Sequence, residues 1–513
     1  MTERIESGGT AGAESNSSRQ QTGEPKKRAV VMIHGMGDQS PMETLRSFVA
    51  AVWTSQPQLG KDGKALTWSL RDRKSENLEL WRIATNEDTK HVRTDFFEFY
   101  WADMMEDTRL SSVLAWFRRL FFRKPERVPP AVAAPWRFGW AGIVVSLVFF
   151  LALGWLALAT LGTADVSAWR AMLPFAGVAA LVFFVWYLRR RVLIEVVGDA
   201  ARYLTAAPSN IAARKRIRLA GLALLEHLHC DPQYDRLVIV THSLGTVVGY
   251  DLINFWWSTI NNHIRHPRLP KSDALRAIEE AGQNVLANGE AALPEFRRAQ
   301  RAYFEEVREL SRGKWKISDF VTLGSPLTHA HFLIVDDGQP LLVSESDAIN
   351  AGWLRKWWKM LDPQTREVAA LFRARASQRE LTLCPPLTEK DDEFTYDPQR
   401  GDYVVPHHAA PFAAVRWTNI YAPRRNIFWG DVVGGLVAPL FGPGVKDVAL
   451  KGRVARQFIA HTHYWDVGVA DEVHLKALRA AVNLLDDPED KLWEAFEAAC
   501  AALSVAAAPS KPA

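Results

Sequence analysis

Apolar residues fall along this chain in three patterns, and each predicts a different element. From Phe138 to Leu161 the sequence FGWAGIVVSLVFFLALGWLALATL runs 24 residues without a charge, long enough as a helix to cross a hydrocarbon layer of roughly 30 Å. A second run, Ala171–Leu188, covers 18 residues and carries Pro174 in its first turn, where the missing N–H costs a helix little. Only Gly162–Arg170 joins them. So short a connection predicts an antiparallel helical hairpin with both outer flanks on one side of a bilayer.

The second pattern is the short, continuously apolar run typical of strands buried on both faces. Ala29–Ile33 is such a run, and Leu78–Ile83, Phe96–Trp101, Arg236–Val240, Phe320–Leu323 and Val415–Tyr421 also read as strands. The third is helical spacing, over Met42–Trp53, Ile194–Leu204, Asn210–Leu228 and Thr246–Trp257. In Asn210–Leu228 apolar Ile217, Leu219, Leu222, Leu225 and Leu228 are interleaved with basic residues. Strands alternating with helices predict the α/β class, a mostly parallel sheet covered on both faces and interrupted by the two-helix hairpin. The charged stretch Asn261–Arg312 predicts helix, and the Pro- and Asp-rich stretch Glu380–His408 predicts loop.

The resulting division is a tail at 1–27, a first part of the sheet domain at 28–104, the hairpin insertion at 105–192, and a second part at 193–505. The second part carries lid-like insertions at about 261–312 and 345–410, and residues 506–513 form a tail. The first tail has almost no large apolar side chains, which predicts disorder, and no apolar signal core follows Met1.

Charge orients the hairpin. Arg118, Arg119, Arg123, Lys124, Arg127 and Arg137 precede it and Arg189, Arg190 and Arg191 follow, whereas the connection holds only Asp165 and Arg170. The excess of basic residues on the flanks places both termini and the sheet domain in the cytoplasm, as for an inner-membrane protein. The lipid bilayer is therefore one expected partner. Nucleic acid is not: the net charge is +4 over 513 residues, and the basic residues sit beside apolar segments rather than along a stripe. Three cysteines, Cys230, Cys384 and Cys500, lie far apart without metal-ligand spacing. That excludes a disulfide framework or zinc site and fits a reducing compartment.

The chemistry concentrates at two strand ends. The apolar run ending at Val240 meets the turn Thr241-His242-Ser243-Leu244-Gly245 and then a helical stretch, the setting of a nucleophile elbow. A serine hydroxyl attacks only when a base takes its proton and donors hold the oxyanion. The usual first glycine of the elbow is replaced by Thr241. The run Val30-Val31-Met32-Ile33 ends in His34-Gly35-Met36-Gly37, a loop able to present a backbone N–H. The amides of Met36 and Leu244 are the expected oxyanion donors, with His34, Gly35, Gly37 and Gly245 shaping the loops.

These residues resemble the α/β-hydrolase superfamily, in particular bacterial lipase- and esterase-like serine hydrolases. The resemblance covers Ala29 to about Trp101 and Asp199 to about Asp466, and excludes the hairpin. Val321-Thr322-Leu323-Gly324-Ser325-Pro326 looks like the family's sixth strand and its loop, and Trp417-Thr418-Asn419-Ile420-Tyr421 like the seventh.

The family order of nucleophile, acid and histidine then implies partners for Ser243. Asp431 is the only carboxylate in APRRNIFWGDVVGG after Tyr421, although members commonly carry the acid nearer the strand end, where Arg424, Arg425 and Asn426 stand; Asp447 is the alternative. The segment Ala460-His461-Thr462-His463-Tyr464-Trp465 resembles the family's H-x-x-Y-W loop and implies His461 as base, with His463 the alternative. Ser325 falls outside the order and reads as structural, and His34, His242, His407 and His408 are less suited as bases.

The implied activity is cleavage of carboxylic esters, lipid-like or acyl, through an acyl-enzyme and without a metal or organic cofactor. The aromatic and basic run Trp353–Leu361 suits a helix on a membrane surface or lid, or one packed on the sheet. An acyltransferase or thioesterase using the same nucleophile, and a membrane-anchored scaffold without activity, are the competing readings.

Overall fold

The computed structural model describes residues 27–35, 42–71, 81–105, 208–268, 270–330, 381–388, 393–398, 401–424, 429–431, 433–457 and 460–506, with isolated residues between 122 and 203. In chain order the elements used below are β1 (Lys27–Ile33), α1 (Glu43–Val49, extended by a π-turn to Thr54), β2 (Thr67–Arg71), β3 (Trp81–Thr85) and β4 (Arg93–Phe99). There follow α2 (Pro208–Cys230), β5 (Tyr234–His242), α3 (Gly245–Ile260), β6 (His266–Pro267), α4 (Asp273–Asn288), α5 (Leu293–Leu310) and β7 (Ile317–Leu323). The last are β8 (Thr395–Tyr396), β9 (Tyr403–Pro406), β10 (Arg416–Tyr421), β11 (Lys446–Ala449), α6 (Val473–Val482) and α7 (Glu494–Ala506).

Eight strands make one sheet in the order β11-β10-β7-β5-β1-β4-β3-β2. The pairs from β11 through β4 are parallel, and β3 runs antiparallel to both β4 and β2. The class is thus α/β with a mostly parallel sheet. Each central strand is apolar on both faces because each face meets a helical layer. Ala29, Val31 and Ile33 of β1 join a core with α2, α3, α4 and α5, while Val30 and Met32 join a second core with α1 and α6. That is why the strand sequences read as unbroken apolar runs rather than alternating ones.

Register brings several strand ends to one edge. Ile33 pairs with Phe99 and Thr241, His242 with Leu323, and Leu323 with Ile420. The residues just after β1, β5, β7 and β10 therefore gather at the carboxyl edge of the sheet, where open parallel sheets bind ligands. The opposite edge holds a buried charge network. Arg236 Nη2 and Arg416 Nε donate to the two oxygens of Asp319 at 2.6 and 2.8 Å, and Glu489 receives Arg297 Nε at 2.7 Å.

Residues 273–310 form α4 and α5, whose buried faces, including Ile278, Val285, Phe296 and Phe304, belong to the core beside α3. Ser272 caps α4 by accepting from the Leu275 amide at 3.1 Å. Glu380–His408, predicted as loop, contains β8 and β9, which with β6 make a separate three-stranded sheet. Elements this short have no room for a period, so propensity alone could not reveal them.

Among the described residues no helix is long and apolar enough to cross a membrane. The second expected span, 171–188, lies outside them, as does Trp353–Leu361. The first is described only at 139–145, 147–149, 151–152 and 155, all helical.

Candidate active site

β5 ends at His242, and Ser243 takes φ of +52°. A left-handed backbone is uncommon outside glycine and is retained only where the surroundings fix it. Three contacts do so. The Ser243 amide donates to the Leu323 carbonyl at 3.0 Å, and its own carbonyl accepts from the Thr246 amide at 3.0 Å and the Thr246 hydroxyl at 2.8 Å. The Thr246 hydroxyl lies 2.8 Å from Ser325 Oγ, so Ser325 braces the turn from behind. This is the structural place expected for it.

Two strand ends press together here. A Cβ on Gly35 would lie 2.7 Å from Ser243 Cβ, and one on Gly245 would lie 2.4 Å from the His34 carbonyl oxygen. Glycine at both positions lets the loop after β1 touch the turn after β5. Leu244 is buried, and its amide, unlike those of Ser243 and Thr246, donates to no backbone carbonyl among the described residues. Met36 and Gly37 lie outside the described residues.

His34 does not reach into the site as a base. Its Nδ1 is 2.7 Å from the Gly35 carbonyl oxygen, its Nε2 accepts from the Trp101 amide at 3.3 Å, and the ring stacks on Trp101. Burial pushes its pKa down to about 4. The neutral ring pins the loop to the end of β4.

Asp431 and His461 come together at the end of β7. His461 Nδ1 lies 3.0 Å from each carboxylate oxygen of Asp431. The carboxylate also accepts from the Tyr464 hydroxyl at 2.6 Å and from the amides of Val433 and Gly434 at 2.8 and 2.9 Å. Burial alone would push this carboxyl up, but the hydrogen bond and charge of His461, with Tyr464 and Gly434, outweigh it and hold the pKa at about 2. Asp431 is thus a buried, fully partnered anion.

His463 goes elsewhere, pairing through Nδ1 with Asp466 at 2.5 Å. Asp447 is also engaged elsewhere: it accepts from the amides of Val437 and Ala438 and from Asn419 Nδ2 at 2.6 Å. Burial lifts it to about 6. Neither alternative meets the His461 ring. His407 accepts the Ala409 amide and its carbonyl receives Trp257 Nε1, on the far part of α3.

His242 ties the two halves together. Its Nε2 donates to the His461 carbonyl at 2.8 Å, and the two rings stand 4.8 Å apart. Burial, then the neighbouring His461, push its pKa down to about 3, so it holds the histidine loop as a neutral ring. Gly324, with φ of +55°, completes the junction: a Cβ there would lie 2.7 Å from Asp431 Oδ2 and 2.8 Å from His461 Nδ1.

Reasoning from sequence gave no role to Tyr464, Gly324 or the His242 contact. Tyr464 and Gly324 both stood inside the motifs named above, and the available signal for Gly324 was its place just after a strand, where a turn with positive φ favours glycine. Among the described residues no group of histidine, cysteine or carboxylate side chains could hold a metal ion. No protein-family model, curated protein or solved structure matches this chain.

Proposed function

We propose that this chain is a serine hydrolase of the α/β-hydrolase type that cleaves carboxylic esters through an acyl-enzyme. The observation that carries the reading is the convergence, at one sheet edge, of a left-handed Ser243 after β5 and a His461–Asp431 pair against Gly324 after β7. In this reading Asp431 receives Nδ1–H and leaves the lone pair of the neutral ring on Nε2, which takes the Ser243 proton as Oγ attacks the carbonyl carbon. The oxyanion is held by the Leu244 amide and, on the loop after β1, by that of Met36. The imidazolium then returns its proton to the leaving alcohol, and water repeats the sequence to release the acid.

The same reading attaches the enzyme to the lipid bilayer by the hairpin, with the catalytic domain cytoplasmic. Its support is the 24-residue uncharged run and the apolar side chains that its described turns leave exposed, among them Val145 at 67% and Trp155 at 72%. A site tethered beside lipid suits a lipid-like acyl ester. The test is turnover of a short-chain nitrophenyl ester by the detergent-solubilised protein. Wild type turns over, and Ser243→Ala lowers kcat by at least about 10³-fold; equal rates in the two proteins overturn the reading.

A further inference from the structure

A cavity of about 390 Å³ opens between α2 and the outer flank of α3, lined by Arg214, Arg218, Tyr203, Val247, Asp251 and Phe255 among others. Its charges are unevenly partnered. Asp251 Oδ2 accepts from Arg218 Nε at 3.1 Å, from Arg218 Nη2 at 2.6 Å and from the Tyr203 hydroxyl at 2.8 Å. That carboxylate neutralises Arg218. Arg214, one turn earlier on the same helix, makes no hydrogen bond or ion pair among the described residues, and its Nε is buried without a partner. Its Cζ lies 5.8 Å from the centroid of the Tyr203 ring.

This is an expensive place for an unpaired cation. Burial, and then the like charge of Arg218 four residues on, disfavour the charged form of Arg214 and outweigh the opposing pull of Asp251. A guanidinium that lines a cavity and keeps an idle donor is the fork that pairs bidentately with phosphate or carboxylate oxygens. The other wall is apolar: Val247 is buried, and Phe255 is half-exposed with Arg218 over its ring.

Position connects the cavity to the chemistry. Val247 and Asp251 stand four and eight residues beyond Ser243, on the helix that begins at Gly245. At a rise of 1.5 Å per residue the near end of the cavity, at Val247 and Asp251, lies about 6–12 Å along α3 from the nucleophile, and its far end, at Phe255 and Ser258, about 18–22 Å. The distance to the near end, where Asp251 and Arg218 stand, is that from an ester bond to the head of an amphipathic substrate. We propose that the cavity is the subsite for a phosphate-bearing headgroup of the ester substrate, with Arg214 as its charge partner.

The proposal rests on the serine-hydrolase reading, and its test keeps the two apart. The full-length protein in detergent is titrated calorimetrically with glycerol phosphate and, separately, with short-chain phosphatidylglycerol. Wild type binds, Arg214→Gln weakens binding about tenfold or more, and Arg214→Lys recovers part of the loss. Arg216→Gln, the same charge change on an exposed position of α2 outside the cavity, keeps wild-type affinity. Tighter binding of the lipid supports a membrane substrate, and tighter binding of glycerol phosphate supports a soluble phosphate ester. No binding of either ligand, or binding that ignores Arg214, overturns the subsite. Fluorophosphonate labelling of the same preparation reports on Ser243 independently: labelling without Arg214-dependent binding removes the subsite alone. Arg214-dependent binding without labelling overturns its assignment to a substrate.

Discussion

His461 Nδ1 lies 3.0 Å from both carboxylate oxygens of Asp431, although 30 residues separate the two in sequence. The contact is made by folding: the loop after β10 turns its carboxylate inward, and the Tyr464 hydroxyl, itself receiving the Ala422 amide at 3.1 Å, holds that carboxylate from the far side. A histidine so held presents Nδ1 to a fixed, buried anion.

The first prediction concerns that anion. Asp431→Asn preserves shape but removes the charge that selects the tautomer, and kcat should fall roughly 10³–10⁴-fold with the fold intact. The carboxyl is held at about 2, below its ordinary 3.8. Its contribution to stability is therefore present above pH 3.8 and lost as pH falls through about 2. Kinetics of the Asn variant at neutral pH, with circular dichroism to confirm folding, checks it; a loss under tenfold would rule out a catalytic role.

Gly324 separates geometry from chemistry. Gly324→Ala puts a methyl 2.7 Å from Asp431 Oδ2 and 2.8 Å from His461 Nδ1, on a backbone with φ of +55°. The variant should lose about 1–3 kcal/mol of stability through steric strain and lose activity by forcing the pair apart. Thermal unfolding and ester turnover measured together test this, and a fully active variant would contradict the described packing.

The charge network at the other sheet edge predicts a pH-dependent stability unrelated to catalysis. Asp319 is buried; burial pushes its carboxyl up, but Arg416 and Arg236 outweigh it and hold it well below the usual carboxylate range. A depressed carboxyl stabilises the fold above its unfolded value of 3.8, and that contribution is lost as pH falls. Asp319→Asn takes one carboxylate from each of two buried arginines, which keep Asp486 and Glu489 as partners, and should cost about 2–3 kcal/mol at pH 7. Urea unfolding at pH 7 and in acid should show the gap between wild type and variant shrinking as pH falls. A constant gap would mean that charge is not what Asp319 contributes.

Much of the sheet was legible because its central strands are buried on both faces, and AVVMI or RLVIV can hardly be anything but interior. β2 was not legible: all five of its residues are exposed, so no burial period marks it. β11 was hidden by Lys446, whose ammonium sits over the Trp493 ring, and by Asp447, which accepts the Val437 amide of a neighbouring loop. In the site, Ser243 could be found from the strand, turn and helix around it. Asp431 and His461 were reached through a family resemblance, because a pair joined across 30 residues leaves no local pattern. Tyr464 and His242 act through contacts that exist only after folding, and neither spacing nor composition encodes them.

The central claim is that Ser243 is a nucleophile activated by His461. The measurement that tests it most directly is covalent labelling of the folded, detergent-solubilised protein by a fluorophosphonate, with the adduct located by mass spectrometry. The account predicts one adduct on Ser243, absent in Ser243→Ala, strongly slowed in His461→Ala and unchanged in His463→Ala, whose ring pairs with Asp466 instead. A folded wild-type protein that takes no label, or labels equally well without Ser243, would contradict it.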